Sequence, residues 1–344
     1  MKLTHPAVFL FGAGATRGGL ILREVPPPLD GDFFGIARQL QGHGTPLLTK
    51  RVLTDVWSLY SRVNGIGLEE FYRDIETREK IGSFAKAQHK PKDWKRRRRD
   101  LDELIRRTVI QTTCDTSKSP HTPLVSGGHR KLLKKLKAND TIITFNYDTV
   151  IEESFEDAKL WTPSGGYGAG VYGHNLDWAR KWLKERGQSK CPDSKLKLLK
   201  LHGSINWVLN INKHVRIKPR VYVVRTKNNK PTFDSVAILA PGWNKPIAKA
   251  PFKGLWRDAR LRLQQAKSIV IIGYSLPETD LLARGLFAEV VRSRVAKRKL
   301  LAQLHVADPN TAVVQRLIDL FTPALGAFGQ ICKYNGIEDL AKRL

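Results

Sequence analysis

The chain has 344 residues, 41% of them apolar, enough for one α/β domain with an insertion or for two domains. Three cysteines, Cys114, Cys191 and Cys332, lie far apart with no C-x-x-C pair, which argues against a disulfide framework or a four-cysteine zinc site and fits a reducing cytoplasm. Lysine and arginine number 59 against 32 acidic residues, a net charge of +27 that no fold requires; it bears instead on partners, whether nucleic acid, an acidic protein or a polyanionic ligand.

Residues 7–12 (AVFLFG) read as a buried strand that turns at Gly12-Ala13-Gly14. This apolar run after Lys2 is too brief for a secretory leader. Pro26-Pro27-Pro28 breaks the chain before LDGDFF, residues 29–34. From 35 to 136 apolar residues recur at three and four spacing, as in LTDVWSLYSRV (53–63) and LDELIRRTVI (101–110), which predicts an inserted helical subdomain. It carries the densest basic run, Lys90 to Arg99, which reads equally as a solvated face and as a nucleic-acid or partner patch.

Strand character returns at 141–145, followed by a Gly- and Tyr-rich loop, PSGGYGAGVYG, at 163–173. Strands are expected at 197–201 and 236–240, with a hairpin arm at 220–225 turning at Asn228-Asn229. An amphipathic helix at 255–266 precedes the strongest strand, 268–273; a helix at 281–291, a strand at 303–307 and a helix at 311–321 complete the alternation. Residues 326–344 read as a tail packing on the core or on a partner. Strands alternating with helices imply a mostly parallel sheet with right-handed crossovers, built from residues 1–34 and 137–325. No stretch approaches the length of a membrane span.

Four distant segments, VFLFGAGAT (8–16), IITFNYDT (142–149), LKLHGSINW (199–207) and IVIIGYSLPETD (269–280), suggest one nucleotide pocket. Three of them open with buried-strand residues and stop at a small, polar or histidine residue, the form of parallel strands at the carboxyl edge where α/β sheets bind ligands. Gly12, Ala13, Gly14 and Thr16 form a turn whose glycines allow close approach of a pyrophosphate, although the third glycine of G-x-G-x-x-G is Arg17. Asn146 offers a donor and an acceptor for ribose hydroxyls or a water, and Asp148 either fixes that amide or caps a helix. His202, followed by Gly203, is the candidate general base. Gly273 and Ser275 can line a phosphate or ribose, while Pro277 and Asp280 read as capping chemistry. Asp308 and Asn310 read either as adenosine-ribose contacts or as a helix cap. No metal signature, Walker lysine or G-x-S-x-G elbow is present.

In their order, GAGAT, TFNYD, KLHGS and GYSLPETD resemble the sirtuin-like NAD-binding domain, and most closely its bacterial antiphage-defence branch. LDGDFF and GLEEFYRDIE (67–76) also resemble that branch. The resemblance implies a Rossmann-like, doubly wound fold with no zinc module and NAD as substrate. It places Asn146 and His202 on the nicotinamide ribose with Asp148 beside them, and Asp32 and Phe33 near the cofactor. Without the four-cysteine module it implies NAD cleavage to nicotinamide and ADP-ribose rather than peptide deacylation. It further implies gating by a homo-oligomer or by a defence partner such as a HerA-like ATPase. A non-catalytic NAD or ADP-ribose sensor and a nucleic-acid-binding subunit are the alternatives.

Overall fold

The computed structural model describes residues 2–42, 65–82, 91–117, 122–168, 171–172, 177–188, 194–210, 220–223, 235–239 and 251–344. The pattern at 53–63, the Asn228-Asn229 turn and Cys191 lie outside these residues.

Apolar runs buried on both faces suit interior strands, and such runs form the inner part of one six-stranded sheet. Its strands are β1 (Ala7–Phe11), β4 (Thr141–Thr144), β6 (Lys197–Lys200), β10 (Ser268–Ile272), β11 (Leu301–Ala307) and β12 (Leu325–Tyr334). The sheet order is β12-β11-β10-β1-β4-β6, and every pairing is parallel. In chain sequence these are the sixth, fifth, fourth, first, second and third strands, the doubly wound Rossmann arrangement. The winding reverses between β1 and β10, so the ligand crevice of such a sheet lies there, outside the carboxyl ends.

Two groups of helices flank the sheet. Helix α1 (Ala13–Gly19), α5 (Gly127–Leu133) and α11 (Gly336–Arg343) pack together, while α8 (Phe252–Gln265), α9 (Leu281–Ala296) and α10 (Thr311–Phe321) form the other group. Residues 326–344 do not trail from the core: β12 extends the sheet and α11 closes against α1 and α5. Gly326, Gly329 and a fully exposed Phe328 give β12 none of the apolar continuity of the inner strands, which is why the sequence reads there as a tail.

The inserted segment builds a second core. Helices α2 (Phe33–Gly42), α3 (Leu68–Gly82) and α4 (Pro91–Thr113) bury Phe33, Phe34, Leu40, Phe71, Ile75 and Leu104 against one another. A two-residue hairpin, β2 (Cys114–Asp115) with β3 (Thr122–Pro123), interrupts the expected all-helical run. Ile205, Tyr147 and Ile238 join this second core from the sheet side, so it packs against the loop that carries Asn146 and Asp148. In the basic run, Arg98 pairs with Glu76 at 3.6 Å within the insertion.

A small second sheet, ordered β5-β8-β7-β9, contains β5 (Val171–Tyr172), β7 (Gly203–Asn210), β8 (Arg220–Val223) and β9 (Ser235–Ile238). Gly203, at φ +80°, makes the sharp turn from β6 into β7. His202 sits at that corner.

Candidate active site

Asn146 and His202 each lie two residues beyond the Thr144–Lys200 pair of neighbouring parallel strands. They therefore leave the sheet at the same level, at its carboxyl edge, one and two strands away from β1 at the switch point. Both are buried, at 7% and 4% exposure.

The orientation of Asn146 follows from its partners. Its Nδ2 donates to the Gly12 carbonyl at 2.9 Å and to Thr16 Oγ1 at 3.0 Å. A carbonyl can only accept, so the amide nitrogen must face Gly12. Both amide hydrogens are thereby committed, and Oδ1, which takes no hydrogen bond from the described residues, remains as the acceptor. Thr16, 1% exposed, donates its own hydroxyl to Asp148 Oδ2 at 2.8 Å. The other Asp148 oxygen accepts from Val150 N–H at 3.0 Å. Asp148 is thus an anchor acting through Thr16 on Asn146. The Thr16 hydroxyl faces this buried chain, not a phosphate.

Beneath it, Lys200 Nζ donates to the Asp148 carbonyl and to Glu152 Oε1, the latter at 2.8 Å. Tyr167 adds a hydroxyl to the same Glu152 oxygen at 3.0 Å. Burial raises the Glu152 carboxyl above its ordinary range, opposed by the Lys200 charge.

His202 is held differently. Phe145, Tyr147 and Trp256 surround its ring at centroid distances of 5.1, 6.3 and 6.3 Å. Its Nε2 lies 3.5 Å from Asp280 Oδ2, an ion-pair distance. Asp280 is also the N-cap of α9. Sequence reasoning saw only the cap, because nothing in the spacing of residues 202 and 280 shows that they meet.

The glycines serve the frame. Gly12 N–H donates to Ile272 O at 3.0 Å and Gly14 N–H to Gly273 O at 2.9 Å. A Cβ on Gly12 would stand 2.5 Å from Gly273 O, and one on Gly273, at φ +56°, 2.0 Å from Ala15 N. The β1 and β10 turns interlock so closely that no side chain fits between them. The Gly14 amide, and the Ala15 amide that donates to Gly12 O at 3.0 Å, are spent on this turn and do not await an anion. The Ala13 backbone opens α1 beside them.

Residues 140–306 match the model of the SIR2-like domain. The matched stretch covers just under half of the chain. It runs from the start of β4 almost to the end of β11 and holds Asn146, His202, Gly273 and Asp280. No curated protein matches the chain. A solved structure described as a crystal structure of a Sir2 homolog–NAD complex is similar at 14% identity and a TM-score of 0.33, covering 97% of this chain and 86% of that one.

The remaining expected residues lie inside the matched stretch and on both sides of it. Asp32 pairs with Arg17 through Oδ2 and accepts from Leu29 N–H at 2.8 Å through Oδ1, bracing the loop after the glycine turn. Phe33, 2% exposed, packs edge-on to Phe34 in the second core and presents no face to a ligand. Asp30 accepts from Glu69 N–H at 2.8 Å, which joins LDGDFF to GLEEFYRDIE. The Thr279 hydroxyl in turn donates to Glu69, tying the insertion to the β10–α9 loop. Ser275 is exposed, and its carbonyl accepts from Arg316. Asn310 caps α10, accepting from Ala312 N–H at 3.0 Å and Val313 N–H at 3.3 Å. Asp308 accepts from Asn310 N–H at 2.9 Å, and burial lifts its carboxyl above the usual range. Among the described residues no cluster of His, Cys, Asp and Glu can hold a metal ion, and no helix is long and apolar enough to cross a membrane.

Proposed function

We propose that this chain is an NAD glycohydrolase that cleaves NAD to nicotinamide and ADP-ribose. The observation that carries this reading is the pairing of a locked amide, Asn146, with an enclosed imidazole, His202, at register-matched strand ends beside the switch point of a doubly wound sheet. The match of residues 140–306 to the SIR2-like family model supports NAD as the substrate. The site also fits it: Asn146 Oδ1 is an outward acceptor for a ribose hydroxyl or a water.

The chemistry requires little else. Nicotinamide leaves from a cationic ring and needs no general acid; the electron pair of the C1′–N bond neutralises the pyridinium. The protein has to hold the ribose and deliver water to C1′. Asn146 accepts a hydrogen bond from that water or from a ribose hydroxyl. His202 takes the proton released as the water oxygen bonds to C1′, then passes it to solvent. A chain with three cysteines cannot build the four-cysteine module of deacylating sirtuins, which supports hydrolysis over deacylation.

The same reading extends to the setting. The likeness of LDGDFF and GLEEFYRDIE to the defence branch supports NAD depletion in the cytoplasm as an antiphage response, gated by a homo-oligomer or a HerA-like ATPase partner. The excess of positive charge gives such a partner, or nucleic acid, a surface to read. Incubating the chain with NAD, alone and with a candidate partner, and separating products by chromatography tests the reaction. Nicotinamide with ADP-ribose is the expected result; intact NAD in both incubations would replace the hydrolase with a sensor.

A further inference from the structure

Asp280 carries more than a helix cap. Its Oδ1 accepts from Ala283 N–H at 3.5 Å as the cap of α9. Its Oδ2 accepts the Tyr274 hydroxyl at 2.9 Å and stands 3.5 Å from His202 Nε2. The two side chains of the His202–Asp280 pair are 5% and 1% exposed, so their attraction is weakly screened. Tyr274 stacks on Phe145 at 4.3 Å and 12°, and Phe145 packs on the imidazole. The ring is therefore enclosed by aromatic faces with a carboxylate at one nitrogen. Glu69 bears electrostatically on both Tyr147 and Tyr274, Asp30 and Asp102 on Tyr147, and Arg284 on Tyr274. Burial first, and then the Asp280 charge, push the Tyr274 hydroxyl well above its ordinary range, so it stays a donor to Asp280.

We propose that Asp280 is a positioning residue for His202: its carboxylate accepts the Nε2 proton of the neutral imidazole, fixes that tautomer and leaves the basic lone pair on Nδ1. The inference rests on the reading of His202 as the base. In turnover Nδ1 takes the proton of the attacking water. The resulting imidazolium is stabilised by Asp280 and by the aromatic faces until the proton passes to solvent. Tyr274, donating to the same oxygen, holds the carboxylate in place. Asp280 thereby couples the start of α9 to the base.

Asp280→Asn and Asp280→Ser separate the two roles, since Asn and Ser both cap helices well and neither supplies a carboxylate. The ring nitrogens of His202 are observed in the full chain by 15N NMR, assigned through their loss in His202→Gln. The wild type is expected to show the Nε2-protonated tautomer, and Asp280→Ser a mixture of tautomers. Nicotinamide release should fall on the order of 10²-fold or more in both variants, in kcat rather than KM, with melting temperature nearly kept. Tyr274→Phe should lose about tenfold less. An Nδ1-protonated ring in the wild type overturns the proposal without any variant. So does wild-type kcat in Asp280→Ser when His202→Ala is inactive. Full turnover in His202→Ala would instead remove the base itself, while the NMR spectrum still reports whether Asp280 sets the tautomer.

Discussion

At the switch point, between β1 and β10, the chain closes glycine against glycine; beside it, β4 and β6 end in an amide and an imidazole. The first side leaves no room for a Cβ and spends its amides on the neighbouring turn. The second commits Asn146 through both hydrogens and encloses His202 in aromatic rings. The difference separates frame from chemistry. Residues that look like a phosphate loop hold two turns together, and the proposed reaction falls to side chains that the frame orients.

The largest effect belongs to the second side. Replacing His202 by Ala should cost turnover about 10²–10⁴-fold, the worth of general base help, while nicotinamide-free ADP-ribose still binds. Steady-state release of nicotinamide beside a binding titration checks it; loss of both together would mark His202 as frame.

Next in size is the glycine side. Gly273→Ala forces a side chain into positive φ and against the Ala15 amide. It should destabilise by about 2–5 kcal/mol, combining the left-handed penalty with overpacking. Denaturant unfolding reads this directly, and a wild-type midpoint would break the interlock.

These two sides were not equally legible. The alternation of apolar strands and helices announces a parallel sheet, because buried strands have no other composition. Asn146 and His202 stand out because polar residues interrupt such strands at their ends. The Asp280–His202 contact does not, since folding brings together residues 78 positions apart in the chain. Phe33 misleads for the opposite reason: it follows Asp30, Gly31 and Asp32 in the motif, yet its ring is needed by the second core. Thr16 and Asp148 look like ligand contacts in one dimension and become a buried hydrogen-bond chain in three. β12 escapes because an edge strand need bury only part of itself.

Acid should test the frame more gently. Burial holds His129, which stacks on Phe11 beneath β1, down to about 3. Its folded value lies below the unfolded one, so the unfolded chain binds more protons between these values. Stability contributed by this neutral ring is present above about 6.5 and is lost as pH falls towards about 3. His129→Phe should flatten that part of the stability profile, measured by thermal unfolding at stepped pH; an unchanged slope would contradict the assignment.

The smallest effect is at the far strand. Asn310→Ala removes the α10 cap and should cost about 1 kcal/mol of stability, with NAD affinity unchanged to within about twofold. A larger drop in affinity would move Asn310 from the frame into the ligand site.

Asn146 decides the matter most directly. Asn146→Ala, compared with the wild type for NAD binding by calorimetry and for nicotinamide release under the same conditions, should bind within about tenfold and release almost nothing, because the ribose and its water lose their acceptor. Release at the wild-type rate would contradict the account at its centre.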